Sequence, residues 1–408
     1  MAQIDTFDPD AVILSILTDP AVIPDPYPLL RELREQAPIF QTTLTGTWIL
    51  TRYDDIRAVL RDPRCGSPPR EVNRGERIGI DGSRRRDRDP DSLSMLFLNP
   101  PDHTRIRKLV SRAFTPRRIE KLRPEITSMT DGLLDTLGPS GDLIGSLAFP
   151  LPANVVSALV GVPAADRDAL RPLITDLGVG IEPTASSDEL AIADAAGREI
   201  RGYLVDLIAE RRREPRDDLL SVLIEASEGD GDRLTENEVI VNTILIYAAG
   251  FETTTHLIAN LVRNMVAHPG QLARVREDRA LISNAVEEVL RFDPPVQIDG
   301  RFVLDDIEVA GHHIPAGSSI VTSLAAGNRD PAVFDDPDRF DIARVDTQVL
   351  SFGSGVHYCL GAALARLEGQ VVLDRLLDRY EHWEITAQPS WRKRITLRGV
   401  ERLDVAFS

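Results

Sequence analysis

The chain has 408 residues and a net charge of −17, an acidic field that disfavours nucleic acid and anionic membrane as partners. Apolar residues make up 42% and charged residues 27%, an ordinary globular composition with enough chain to bury a core and enclose a cavity. Two cysteines, Cys65 and Cys359, are too few for a disulfide scaffold and point to a reducing, cytoplasmic setting.

The opening MAQIDTFDPD has acids where a signal peptide carries basic residues, and no apolar segment follows. Residues 1–35 show a helical pattern broken by prolines (DPYPLLRELREQ), and about the first 20 are expected to be flexible. Pro38 to Tyr53 alternates and is rich in Thr, Ile and Trp around Gly46, which predicts a hairpin. Residues 65–92 carry Pro68, Pro69 and Arg84, Arg85 and Arg86, and read as a solvated surface loop or a lid over a pocket.

From His103 to Glu288 helical periodicity dominates, with breaks at Pro116, at Pro150 and Pro152, and over 182–187. Its apolar run Val239 to Val262 holds AAGFETTTH in its middle, a costly place for a carboxylate. Asn242, Glu252, His256 and Asn260 argue for a buried helix rather than a membrane span. Between Val296 and Ala325 β-branched runs split by Gly311 and Gly317 predict short strands. A helix after Cys359 and strands near Trp383–Leu397 and Leu403–Phe407 close the chain. No internal repeat, clean linker or GxGxxG is present, so one large, mostly helical domain over residues 1–408 with a minor sheet is expected.

LSFGSGVHYCLGAALARLE, Leu350 to Glu368, is the most informative stretch. Gly353 and Gly355 permit close approaches, and Leu360, Ala363, Leu364 and Leu367 share a helical face. Cys359 therefore sits at a loop-to-helix junction, where the helix dipole and free N–H groups favour a thiolate. The residues alone leave three readings open: an inert core cysteine, a nucleophile served by His357, or a thiolate ligand to haem iron.

FGSGVHYCLG resembles the haem-binding loop of the cytochrome P450 family, Phe-Gly-x-Gly-x-His-x-Cys-x-Gly, at every fixed position. The resemblance runs from about residue 20 to the end. It implies a mainly α, triangular fold with small β-sheets and haem b (iron protoporphyrin IX) between the central helix and the helix after the cysteine. Cys359 becomes the proximal iron ligand, with Phe352, Gly353 and Gly361 around it. His103, Arg107, Arg301 and His357 become the haem-carboxylate binders. Glu288 and Arg291 of EVLR, with Arg339 of DPDRF, become a structural charge network. Ala249, Gly250, Glu252 and Thr253 become the distal site: Gly250 removes bulk so that the helix ladder opens for dioxygen, and the acid–alcohol pair delivers protons. Thr254 and Thr255 are left to packing or helix bonding.

The implied activity is insertion of one oxygen atom from O2 into an apolar or amphipathic organic molecule. The pocket is expected from Leu96, Phe97, Leu245, Ala248, Val296, Gln297, Ile298, Ile395 and Thr396. Electrons are expected from a ferredoxin and its reductase, docked on a basic face of Arg105, Lys108, Arg112, Arg117, Arg118 and Lys121. A monomer with no nucleic-acid or membrane partner is expected. Two other classes are weighed: a haem-thiolate ligand sensor, against which Glu252 and Thr253 argue, and a cysteine hydrolase built on Cys359 and His357.

Overall fold

The computed structural model describes residues 7–69, 77–78, 84–85, 93–182, 185–228, 233–345 and 348–408. The first helix, Pro9–Thr18, begins where the Asp8 carboxylate accepts from the N–H groups of Asp10 and Ala11. Asp10 in turn accepts from the hydroxyls of Thr42 and Thr43 at 2.5 Å each. The segment expected to be flexible to about residue 20 is thus a docked helix from Pro9; residues 1–6 lie outside the described residues.

Ile39–Gln41 and Trp48–Leu50 form the predicted hairpin, with Gly46 at a φ of 71°. Trp48–Leu50 runs parallel to Ser319–Ser323, and the sheet continues antiparallel through Ile298–Val303 to Cys65–Gly66. The predicted turns at Gly311 and Gly317 have φ of 84° and 88°. Of the expected 65–92 loop, Cys65–Gly66 is a strand and Arg77–Ile78 pairs with Arg84–Arg85. Residues 70–76, 79–83 and 86–92, including Arg86, lie outside the described residues, and the lid reading falls on them.

The central helix, Glu236–Ala267, starts on a capping box of Thr235 and Glu238. It passes through both large apolar cores. Its Val239–Phe251 half packs against Pro150–Val160, Ser187–Arg213 and Leu219–Glu228. Its Leu257–Met265 half packs against Arg123–Leu137, Ile282–Phe292 and Ala362–Arg379. Its buried amides tie down other elements: Asn242 accepts from Met95 N–H at 2.9 Å, and Asn260 donates to the Asp293 carbonyl at 2.8 Å. Among the described residues no helix is long and apolar enough to cross a membrane.

Glu288 and Arg291, one helical turn apart, form a fully buried bidentate pair at 2.7 and 2.8 Å. Arg291 also donates to the carbonyls of Asn328, Pro337 and Arg339. The sequence reading gave the third place in this network to the Arg339 side chain, and the structure corrects it. Arg339 contributes only its carbonyl; its guanidinium is exposed and pairs with Asp336 and Asp341. Arg344 lies beside the carboxylate instead, its Nε 3.4 Å from Glu288 Oε2. The physical reason is local: Arg344 Nη1 donates to Asp335 O and its Nη2 to Asp336 O and Arg339 O, which folds the loop back over Glu288.

Candidate active site

Two left-handed glycines build the cysteine loop. Gly353 has a φ of 69° and Gly355 of 71°, and a Cβ on Gly355 would lie 2.4 Å from the Leu60 carbonyl. The Cys359 N–H donates to Phe352 O at 2.8 Å, which places the buried Phe352 ring beside the cysteine. The Arg366 guanidinium lies 4.4 Å over that ring and pairs with Glu287.

The Cys359 side chain opens on one side, while protein crowds it on the others. Burial raises its thiol pKa; the N–H groups of Gly361 and Ala362 and the charges of Arg107 and Arg366 act the other way and do not fully offset it. A persistent thiolate here therefore needs a further cation at the sulfur, as a metal ion supplies. A Cβ built on Gly361 would meet nothing within 4 Å, so there is open space at this residue two positions after the cysteine.

Beside this loop four nitrogen-bearing side chains converge. His103 and Arg107 lie one turn apart on helix Asp102–Val110, and Arg107 Nη2 donates to Tyr358 O at 2.5 Å. The rings of His103 and His357 are 4.3 Å apart. Burial, then neighbouring charge, lowers the His103 pKa to about 4 and the His357 pKa to about 3, so both are neutral near pH 7. Arg301, on strand Ile298–Val303, spends Nη1 on Asp299 and the Gly300 carbonyl at 2.7 Å each. Its Nε and Nη2 are buried without a hydrogen-bond partner, as are both ring nitrogens of His103. Orphaned donors in such number are rare in a finished structure and mark a place built for an anionic, acceptor-rich group. The carboxylates of a haem have that chemistry, and the donor set fits them.

On the central helix the predicted distal residues do not share one face. Ala249 is exposed in the middle of this otherwise buried helix, and Leu245, Ala248 and Thr253 are partly exposed. Residues 245, 249 and 253 stand four apart and form one open stripe. The Thr253 hydroxyl donates to Ala249 O at 3.0 Å, Thr254 to Gly250 O at 3.3 Å and Thr255 to Phe251 O at 2.9 Å. The latter two therefore bond to the helix itself.

Two expectations change. The helix is continuous from Glu236 to Ala267, with no local opening of its ladder at Gly250. A Cβ on Gly250 would lie 2.8 Å from Val156 Cγ2, so glycine is required there by the close crossing of helix Pro150–Val160. Glu252 is buried and turned away from the open stripe. Its Oε1 is bound by Arg392, and a Cβ on Gly178 would stand 2.7 Å from its Oε2.

The expected pocket residues are tied in two groups, one to the central helix and one between the 296–298 and 395–397 segments. Leu96 and Phe97 follow Met95, whose N–H is anchored on Asn242 of the central helix. Gln297 N–H donates to Thr396 O at 3.0 Å, and Val296 bridges to Leu397. Ile298 opens the strand that carries Arg301, and Ile395 and Thr396 are half-buried.

The expected basic face is partly consumed. Arg105 pairs with Glu238 at 2.5 Å, and Arg118 with Asp217 at 3.0 Å. Lys108, Arg112, Arg117 and Lys121 are exposed and have no acidic partner among the described residues. The sequence reading missed Arg366, Arg344, Arg392 and the exposed Val356 and Tyr358 of the cysteine loop. Arginines that act across long sequence separations leave no local pattern to read; only ARLE, continuing the cysteine motif, hinted at Arg366.

Comparison with known proteins agrees with this geometry. The family model for cytochrome P450 matches residues 189–399. Cytochrome P450 107B1 of Saccharopolyspora erythraea is 42% identical over 401 residues, covering 95% of this chain and 96% of the relative. Vitamin D(3) 25-hydroxylase of Pseudonocardia autotrophica is 40% identical, covering 94% of each chain. The crystal structure of P450BioI in complex with an acyl carrier protein ligated to hexadec-9Z-enoic acid superposes with a TM-score of 0.87 at 35% identity, covering 95% of this chain and all of that one. The chain belongs to the cytochrome P450 family: it is a haem-thiolate monooxygenase with the mainly helical fold of that family.

Proposed function

We propose that this enzyme oxidises an apolar or amphipathic small molecule with O2, holding its haem through Cys359 and the basic cluster. The orphaned donors of His103 and Arg301 beside the cysteine loop carry this reading. Haem iron, once bound, supplies the activation of dioxygen. Cys359 provides the ligand sulfur, tuned by the Gly361 and Ala362 N–H groups and shielded by Phe352. His103, Arg107, Arg301 and His357 would hold the haem carboxylates.

On the central helix Leu245, Ala248 and Ala249 leave an apolar surface, and Leu96, Phe97, Val296, Ile298 and Ile395 add apolar wall. Such a lining selects for carbon skeletons and excludes bulk water. Vitamin D(3), named in one of the relatives above, and the hexadec-9Z-enoic acid on the carrier protein bound to the other are of this apolar or amphipathic kind. Thr253, with its hydroxyl at the open stripe, and Glu252 next to it deliver the protons that the reaction consumes.

Electrons come from an acidic ferredoxin and its reductase. Lys108, Arg112, Arg117 and Lys121 offer it charge that is unpaired among the described residues, and Val356 and Tyr358 add exposed apolar surface on the cysteine loop itself. We read the enzyme as a cytoplasmic monomer on the same footing.

The ferrous–CO spectrum is the first test. The red-shifted thiolate band supports Cys359 as ligand, and its absence in folded, haem-loaded protein overturns it. Type I spectral shifts across a library of terpenoids, polyketides and fatty acids, followed by turnover with a ferredoxin chain, identify the substrate class. No turnover of any binder would favour the ligand-sensor reading.

A further inference from the structure

Glu252 lies in a socket built from three parts of the chain. Its own helix contributes His256, one turn on. The end of helix Arg167–Gly178 contributes Gly178, where an added Cβ would lie 2.7 Å from Oε2. The carboxy-terminal hairpin contributes Arg392, whose Nη1 binds Glu252 Oε1 and lies 3.0 Å from His256 Nε2. A guanidinium has no acceptor, so Nε2 must be the unprotonated nitrogen and the His256 proton rests on Nδ1. The His256 ring fits only because residue 399 is glycine: a Cβ there would lie 1.9 Å from Nδ1.

The stretch that carries Arg392 is also a wall of the expected pocket. Arg392 N–H donates to Gly399 O at 3.1 Å, which closes the loop. Thr396 and Leu397 give their N–H groups to the buried Glu182 at 3.2 Å each, and Arg394 pairs with Glu189 at 3.2 Å. Thr396 O accepts from Gln297 N–H, and Arg398 N–H donates to Pro295 O at 2.8 Å. One short loop thus touches the substrate wall, the segment before and into helix Ser187–Arg213, and the acid of the central helix.

We propose that Arg392 is a positioning residue: it parks Glu252 against His256 and Gly178, away from the open stripe of Thr253, and makes the position of this acid depend on the pocket-lining loop 392–398. Substrate seated against Ile395 and Thr396 then bears on the same loop that holds the carboxylate. Proton delivery is linked to occupancy because the release of Glu252 requires movement of Arg392. The proposal rests on the reading of Glu252 as a proton carrier.

The test uses haem-loaded full-length protein with Arg392→Met, which keeps volume but removes every donor, and Arg392→Lys, which keeps a cation. The first readout needs no turnover. In the diamagnetic ferrous–CO form, histidine ring 15N shifts report whether His256 Nε2 accepts from a donor. The wild type and Arg392→Lys are expected to show a bonded Nε2 and Arg392→Met a free one; unchanged shifts in Arg392→Met overturn the socket.

The second readout is product and peroxide per NADPH with a ferredoxin chain, using hexadec-9Z-enoic acid and vitamin D(3) as probes. Arg392→Met frees Glu252 and is expected to keep proton delivery but lose its link to occupancy, so that NADPH consumption without substrate rises above the wild type; Arg392→Lys is expected to restore the link, and the double variant to be no worse than Glu252→Gln alone. Coupling lost in Glu252→Gln with substrate-free NADPH consumption unchanged from the wild type in Arg392→Met would overturn the positioning role and leave the proton-carrier reading standing. Coupling kept in Glu252→Gln would overturn both. Additive losses in the double variant would reduce Arg392 to a structural residue.

Discussion

Arg344 Nε stands 3.4 Å from Glu288 Oε2, and the Arg339 guanidinium stands in solvent. The two arginines are five residues apart on one loop, and a short motif cannot tell which one folds inward. Arg344→Ala removes a nearly buried cation and three hydrogen bonds to carbonyls. It is expected to cost about 1–3 kcal/mol, while Arg339→Ala stays within about 0.5 kcal/mol. Urea unfolding of the haem-loaded proteins measures the difference. Equal losses would return Arg339 to the network.

Breaking the inner pair is a harsher change. Glu288→Ala leaves Arg291 buried with carbonyl partners but no counter-charge. The expected loss is about 3–5 kcal/mol, as for other buried pairs cut on one side. Loss on that scale shows as haem-free or insoluble protein on expression, and a Glu288→Ala protein with wild-type haem content and melting temperature contradicts it.

Thr253→Ala separates the roles of the acid and the alcohol. Among the described residues its hydroxyl bonds only the Ala249 carbonyl, so its loss leaves the helix intact. Haem content and the ferrous–CO band are expected to be unchanged. Product per NADPH is expected to fall by about tenfold or more, less than the roughly 10²–10⁴-fold that a positioned proton donor contributes to a rate because water replaces part of the path, with hydrogen peroxide making up the difference. Unchanged coupling removes Thr253 from the proton path.

The legibility of this chain was uneven, and the reasons are physical. The cysteine loop was readable because its chemistry forces residue types locally: Gly355 abuts a backbone carbonyl, and Cys359 must lie where N–H groups converge. The helix and strand order was readable from periodicity and from glycines at positive φ. Gly250 reads from the sequence as space beside a cleft, and the structure sets it against Val156; the two kinds of glycine look alike in sequence. Glu252 showed itself as a costly buried acid, but its partner lies 140 residues away in a loop with no pattern. Ion pairs over such separations are set by tertiary packing, and only coordinates reveal them.

Acid should unfold the haem-free protein through its histidines. Burial and neighbouring charge hold His103 near pKa 4 and His256 and His357 near 3, all below the ordinary value of 6.5. Between these values the unfolded chain binds protons that the folded chain refuses. Stability therefore rises with pH across that window and is lost as pH falls from about 6.5 toward 4. Bound haem carboxylates would favour protonated His103 and His357 and so flatten this dependence, leaving His256 as the main acid-sensitive member of the three. Melting temperatures of haem-free and haem-loaded protein from pH 7 to pH 4.5 measure the contrast. Parallel curves would mean that His103 and His357 do not face the carboxylates.

Charge reversal on the helix beside the cysteine loop tests electron delivery. Lys108 and Arg112 are exposed and unpaired among the described residues, so Lys108→Glu and Arg112→Glu break no ion pair of the fold. Each is expected to slow reduction by an acidic ferredoxin by about tenfold at low ionic strength, within the range that steering contributes, and to weaken its salt dependence. Reduction by dithionite should be unaffected. Arg118→Glu is a useful control, because Arg118 is already engaged with Asp217. Its reversal changes the net charge by the same amount while removing a cation less available to a partner. Stopped-flow reduction that slows equally in all three variants would indicate a general field effect, and only slowing concentrated in Lys108 and Arg112 supports docking at this face.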